Sequence, residues 1–286
     1  MGLSYTSEQV EAWRDRVHRR TPGRAVGTKR QALAFIESVG FCFAFKSDNS
    51  ELPCLWHAAM GMRNPVMPLH THHDPGISFV WEMKDVLPAE GKIYYGKLIR
   101  SRPTMVSLDI LPSFYVLAGR SGSKGEAARE LRAGRLTGTA YAILEALHDS
   151  SPQNTKGLKL ATGLHTPGDR LVFDRAMAEL QTRMFVVKVA EEVEQFSFVW
   201  APFDRTFPAV VRKARRITED EARSRILERY FANQLVGTVA GIQRLFRWNR
   251  QAIFKTLGAL VARGVLRVDV TVDGADHRYY SFIDQR

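Results

Sequence analysis

The chain has 286 residues, 45% hydrophobic and 25% charged, the balance of an ordinary globular protein long enough for two or three compact domains. No apolar run reaches the ~18–20 residues of a membrane helix, and the opening MGLSYTSEQVEAWRDRVHRR is charged early and lacks the apolar stretch of a secretory signal. The net charge of +11 favours polyanionic partners, while two cysteines, Cys42 and Cys54, are too few for a disulfide framework or a cysteine-based zinc site. These features together predict a soluble, cytoplasmic protein of a reducing compartment, with no membrane partner.

The first segment, residues 1–120, is rich in aromatics, proline and histidine. Its RDRVHRRTPGR (14–24) reads either as a phosphate-touching arm or as a solvated helix end. In HTHHD (70–74), His70, His72, His73 and Asp74 have side chains suited to a transition metal. Pro68 and Pro75 bracket them and argue for a loop whose histidines hydrogen-bond locally. Asp48, Glu51, His57, Asp74, Glu82 and Asp85 supply acid–base groups whose ordinary role is solvation or capping. Further on, Lys92, Lys97, Arg100 and Arg102 are interleaved with Tyr94, Tyr95, Phe114 and Tyr115. Basic groups beside aromatics suit a stacked base. Core aromatics under solvated lysines are the plainer reading, and Trp56 and Trp81 are read as core as well.

SGSKGEAARELRAGR (121–135) begins Gly- and Ser-rich, then turns helical, and reads as a linker into a second segment, 121–208. There TGTAYAILEALHD and NTKGLKLATGL are helices. RLVFDRAMAELQTRM is a longer one with Phe173, Met177 and Leu180 inward, and VVKVAEEVEQFSFVWAPF is a hairpin with an acidic turn. The third segment, 209–286, repeats the order. Thr218 and Glu221 form a capping box, and Ile226, Leu227, Tyr230 and Phe231 make the apolar stripe of its first helix. TVAGIQRLF follows. Asn249 is an N-cap for a helix running to about Arg263, closed by Gly264. Leu266, Val268, Val270 and Val272 alternate as a half-buried strand, and Asp273-Gly274 marks the hairpin turn. Helix, helix–turn–helix, hairpin is winged-helix order. The predicted fold is therefore α+β, mainly helical, with tandem winged helix-turn-helix units.

From Arg244 to Arg267 the third unit holds six Lys or Arg and no acid. Opposite Ile253, Leu257 and Leu260 stand Gln251 and Lys255, with the small residues Gly258, Ala259 and Ala262 between. Arg250 sits at the positively polarised helix start. Arg244, Arg247, Asn249, Arg263, Arg267, His277 and Arg278 flank it. Small residues let a phosphate backbone come close and leave few side chains to read bases. Shape- and charge-dominated binding of double-stranded DNA is expected, damaged DNA included. A small-residue face could equally pack on a protein, and no protein partner is identified. The matching helix of the second unit mixes Arg175 with Glu179 beside the acidic turn, which phosphates would avoid.

ARSRILERYFANQLVGTVAGIQRLFRWNRQAIFKTLGALVARG, YAILEALHDSSPQNTKGLKLATGL and FIESVGFCFAFKSD…LPCLWHAAMG carry a resemblance to the AlkZ/YcaQ-type winged-helix DNA glycosylases, which excise bases from alkylated or crosslinked DNA. The resemblance spans about Thr28 to Phe282 and implies a protein associated with the bacterial nucleoid. It implies three winged-helix units cradling DNA, followed by a small β-barrel, whereas this chain ends at the third hairpin. It also implies a catalytic Gln-x-Gln or Gln-x-Asp, at positions that here hold Phe43 and Phe45. No glutamine occurs between Gln31 and Gln153, so a shifted alignment cannot restore it. The chain resembles a divergent member, with Asp48, Glu51 and His57 as the nearest alternative acid–base groups. No Walker loop, GxGxxG or GxSxG occurs, and no cofactor is expected. The alternatives are a non-enzymatic winged-helix transcriptional regulator and a metal-dependent enzyme built on the HTHHD loop.

Overall fold

The computed structural model describes residues 3–45, 52–68, 74–192, 197–273 and 278–284. The chain forms two compact units, one from Met1–Trp81 with Glu219–Arg286 and one from Glu82–Thr218. It opens with β1 (Ser4–Tyr5) and α1 (Ser7–Val17). Next come α2 (Lys29–Val39), β2 (Phe41–Phe43), α3 (Leu55–Met60), α4 (Pro75–Ala89), β3 (Ile93–Lys97) and β4 (Pro103–Ser107). α5 (Leu111–Leu117) and α6 (Glu126–Arg132) lead to α7 (Gly138–Asp149), β5 (Gln153–Asn154), α8 (Thr155–Ala161), α9 (Arg170–Thr182), β6 (Val186–Glu192) and β7 (Ser197–Pro202). After the short α10 (Phe203–Thr206) and α11 (Pro208–Ala214) come α12 (Glu219–Gln234), β8 (Val236–Gly237), α13 (Val239–Phe246), α14 (Arg250–Ala262), β9 (Leu266–Val272) and β10 (Tyr279–Phe282). Among the described residues the order helix, short strand, helix, helix, hairpin thus occurs over 29–107, 138–202 and 219–282. The chain is mainly helical with small sheets, as expected.

In the Glu82–Thr218 unit, Ile143, Leu144 and Leu147 of α7 meet Phe173, Met177 and Leu180 of α9 in a closed core. β7 pairs antiparallel with both β5 and β6. Tyr94 is fully buried, and its hydroxyl donates to the Gln181 carbonyl at 3.3 Å. Tyr115 stacks on Phe203 at 4.8 Å. Tyr94, Phe114 and Tyr115 are therefore core, the plainer of the two readings, while Tyr95 is half-buried. The stretch 121–135 turns helical at α6 (Glu126–Arg132), as expected, and its Gly- and Ser-rich start is held rather than a free linker. The Glu126 carboxylate accepts from the Ser121 and Gly122 N–H groups at 2.7 and 3.1 Å. Arg120 is buried 4.0 Å from the Phe185 ring centroid, beside Glu130. Hydrogen bonds from Arg135 and Arg183 hold Glu130 down to about 2.

The other unit joins the two ends of the chain. β8, β10 and β9 form an antiparallel sheet, and β1 adds to β9 in parallel, with Ser4 opposite Thr271 and Tyr5 opposite Val272. A capping box starts α1. The Thr6 hydroxyl accepts from Gln9 N–H at 3.1 Å, and the Gln9 side chain accepts from Thr6 N–H at 2.8 Å. The helix lies on α12, where Trp13 Nε1 donates to the Ala232 carbonyl at 3.0 Å. Val10, Leu235 and Val236 close a core patch there, and each such burial stabilises by roughly 2 kcal/mol. The alternation expected for β9 breaks at Val268, which is exposed while Leu266 and Val270 are buried. The cause is a β-bulge: Asp269 takes a φ of 57°, and the register against β10 shifts there.

Candidate nucleic-acid interface

Local sequence fixes the geometry around α14. α13 is capped by Thr238, whose hydroxyl accepts from Gly241 N–H at 3.0 Å. It ends at Arg247 in the left-handed conformation, φ 58°. Phe246 and Trp248 stack at 4.8 Å across this turn, and Phe246 also meets Phe41 and Tyr230 edge-on. The turn is therefore anchored in the core while its arginines point away. Asn249 Oδ1 accepts from Ala252 N–H at 2.8 Å and starts α14, as predicted. Arg263 is the C-cap, and Gly264 takes a φ of 70°. Ile253, Leu257 and Leu260 are fully buried, and the Thr256 hydroxyl turns back to the Ala252 carbonyl at 2.8 Å.

The outer face of α14 presents Gln251, Phe254, Lys255, Gly258, Ala259 and Ala262 to solvent. Its cations fall into two classes. Arg244, Arg247, Arg250 and Arg267 are exposed and have no carboxylate partner among the described residues. Arg250 lies 5.4 Å from the Phe254 ring centroid. The other class is already paired: Lys255 with Asp220 at 2.5 Å, Arg263 with Glu228 at 3.4 Å and Arg278 with Asp269 at 3.1 Å. The Lys255 hydrogen bond holds the Asp220 carboxyl below its usual range. Sequence reading counted all these cations alike and missed Phe254, which is 46% exposed. Phe254 lies one residue off the Ile253–Leu257–Leu260 stripe, and that offset was the available signal.

Lys97, Arg100 and Arg102 belong to the Glu82–Thr218 unit, at the tip of the β3–β4 hairpin. Arg100 and Ser101 take φ of 52° and 55°, which turns the chain within a few residues. The Lys97 backbone is held by the Gln181 side chain at 3.4 Å and the Thr182 hydroxyl at 3.1 Å. Asp48, Glu51, His70, His72, His73 and His277 lie outside the described residues. His57, on α3, packs edge-on against Trp56. Asp74 Oδ1 accepts from Ile77 N–H at 2.8 Å, a helix-capping bond. No group of three His, Cys, Asp or Glu among the described residues is placed to hold a metal. Trp56 is core, whereas Trp81 is only partly buried.

Phe43 is 2% exposed on β2, its N–H donating to the Pro53 carbonyl at 2.9 Å, and Phe45 is half-buried. Burial pushes the neighbouring Cys42 thiol far up. These surroundings are apolar, and a phenyl ring can neither hold a water nor take a proton.

The helix-rich, thrice-repeated order has counterparts among known proteins. A family model described as AlkZ related matches residues 26–246. Among solved structures the chain is similar to the Streptomyces sahachiroi DNA glycosylase AlkZ, at 13% identity and a TM-score of 0.63, over 99% of this chain and 71% of that one. Nothing among curated proteins matches. The structural likeness, at this identity, speaks for the fold alone. With the family match covering most of its length, the chain belongs to the AlkZ-related family.

Proposed function

We propose that this protein binds double-stranded DNA mainly by shape and charge, in a role related to DNA repair, without the base-excision chemistry of a glutamine pair at positions 43 and 45. Each helix–strand–helix–helix–hairpin repeat is read as a winged-helix unit, with boundaries near residues 120 and 208. The observation that carries the reading is the group Arg244, Arg247 and Arg250, exposed and without acidic partners among the described residues at the turn and start of α14, beside a face of small residues. A helix N-terminus and arginine forks both suit phosphate oxygens. The similar solved structure is a DNA glycosylase, which supports DNA as the partner.

The test is binding to intact, nicked, alkylated and single-stranded oligonucleotides at two salt concentrations. The expected result is duplex binding of unrelated sequences with steep salt dependence. Tight preference for one operator would replace this reading with a transcriptional regulator. Incubation with a labelled alkylated duplex should release no base, and excision would contradict the reading of Phe43 and Phe45.

A further inference from the structure

The unit that carries α14 also contains a cleft of about 1050 Å³ lined by Arg16, Arg19, Arg24, Arg229 and Arg263. Two carboxylates, Glu228 and Asp284, also line it, and Glu228 is already paired with Arg263. Positive charge prevails. The pairing on and around α1 is selective: Arg14 and Arg20 bind Glu11, and Arg63 binds Glu8 and Asp15. Arg16, Arg19 and Arg24, which face the cleft, have no carboxylate partner among the described residues.

These arginines are held in place. Arg16 lies over Trp13 at 4.3 Å, and Trp13 is tied to the Ala232 carbonyl. Arg24 Nη1 donates to the Arg16 carbonyl at 3.4 Å. Arg19 has a φ of 56°, a conformation that side-chain-bearing residues seldom adopt. On the wall formed by α12, Arg229 donates to the Ser38 carbonyl at 2.8 Å, and its stem lies where a Cβ on Gly40 would come within 2.8 Å. Arg16, Arg19 and Arg24, positioned along a cleft larger than one anion needs, suit successive phosphates of a strand. Arg263 caps the far end of α14 from Arg250, about 20 Å along a helix of this length.

We propose that this cleft holds the phosphodiester backbone of the nucleic acid that α14 engages, an inference that rests on the DNA-binding reading. The test compares Arg16→Gln/Arg19→Asn/Arg24→Gln with Arg16→Lys/Arg19→Lys/Arg24→Lys and with Arg250→Ala/Lys255→Ala. Asn is chosen at position 19 because it tolerates the left-handed backbone. Duplex affinity is measured against salt, and binding of a nucleoside triphosphate is measured alongside. The neutral triple should lower the log–log salt slope by about 0.9 for each phosphate it no longer neutralises, and the lysine triple should keep most of it. Should the neutral triple misfold, Arg24→Gln alone should still lower the slope by about 0.9. If only the α14 variant leaves the slope unchanged, the α14 reading fails and the cleft stands. An unchanged slope in folded cleft variants overturns the proposal. Loss of nucleoside triphosphate binding with the duplex slope intact overturns it too, in favour of a free nucleotide.

Discussion

Lys255 donates to Asp220, so a phosphate approaching α14 must displace a carboxylate before gaining that cation. Both groups are exposed, and such a solvent-screened pair holds only weakly. Asp220→Asn should therefore raise duplex affinity by up to about fivefold, read by fluorescence anisotropy at low salt. A fall in affinity would mean that Asp220 orders the helix rather than competing with the ligand. His18 is a separate case, buried against α12 with a ring nitrogen 3.1 Å from the Asn233 carbonyl. Burial, then the charges of Arg20 and Arg14, keep it neutral well below the usual histidine range. An unfolded histidine titrates near 6.5, so the unfolded state binds the extra proton as pH falls. The contribution is complete above about pH 7 and is lost progressively as pH drops through 6.5. Urea midpoints at pH 7.5 and 5.5 should show this loss, and His18→Gln should flatten it. An equal loss in the variant would place the acid sensitivity elsewhere. Glu130 does not confuse the window, because its stabilising charge is lost only between its ordinary value near 4.5 and about 2.

On α14, stability and binding pull apart at Gly258. It lies inside the helix, and an added Cβ would meet nothing within 4 Å. Gly258→Ala should stabilise by about 0.5–1 kcal/mol through helix propensity. If the outer face lies against a phosphate backbone, the same methyl should weaken duplex binding. Higher melting temperature with unchanged affinity would remove this face from the interface. The limits of α14 were legible in the sequence because the Asn249 cap and the Gly264 terminus act within a few residues. The Val268 exposure was not, because the bulge at Asp269 is set by pairing with β10. The helix in 121–135 was legible, but what holds the stretch was hidden as well. It depends on Arg120 and Glu126, and on Glu130 meeting Arg183 from a distant helix.

At the scale of the molecule, the sequence pattern shows the second and third repeats but not that the chain's first residues belong to the last one. Ser4 opposes Thr271, and no local pattern announces a partner so far along the chain. Removing residues 1–20 should expose Leu235 and Val236, lower the thermal stability of the unit that contains α14, and speed hydrogen exchange in β9. Unchanged exchange in β9 would mean that the parallel strand contributes little. The same pairing explains why the sequence offered residues 14–24 as a phosphate-touching arm but not the cleft they line: its walls come from α1, α12 and the end of α14. DNA binding by this protein turns on whether the exposed cations of α13 and α14 meet phosphates. The decisive experiment is the salt dependence of duplex binding by the native protein and by Arg244→Ala/Arg247→Ala/Arg250→Ala. A log–log slope shallower by about 2 to 3 is expected in the variant; equal slopes in the two proteins would refute the phosphate contacts.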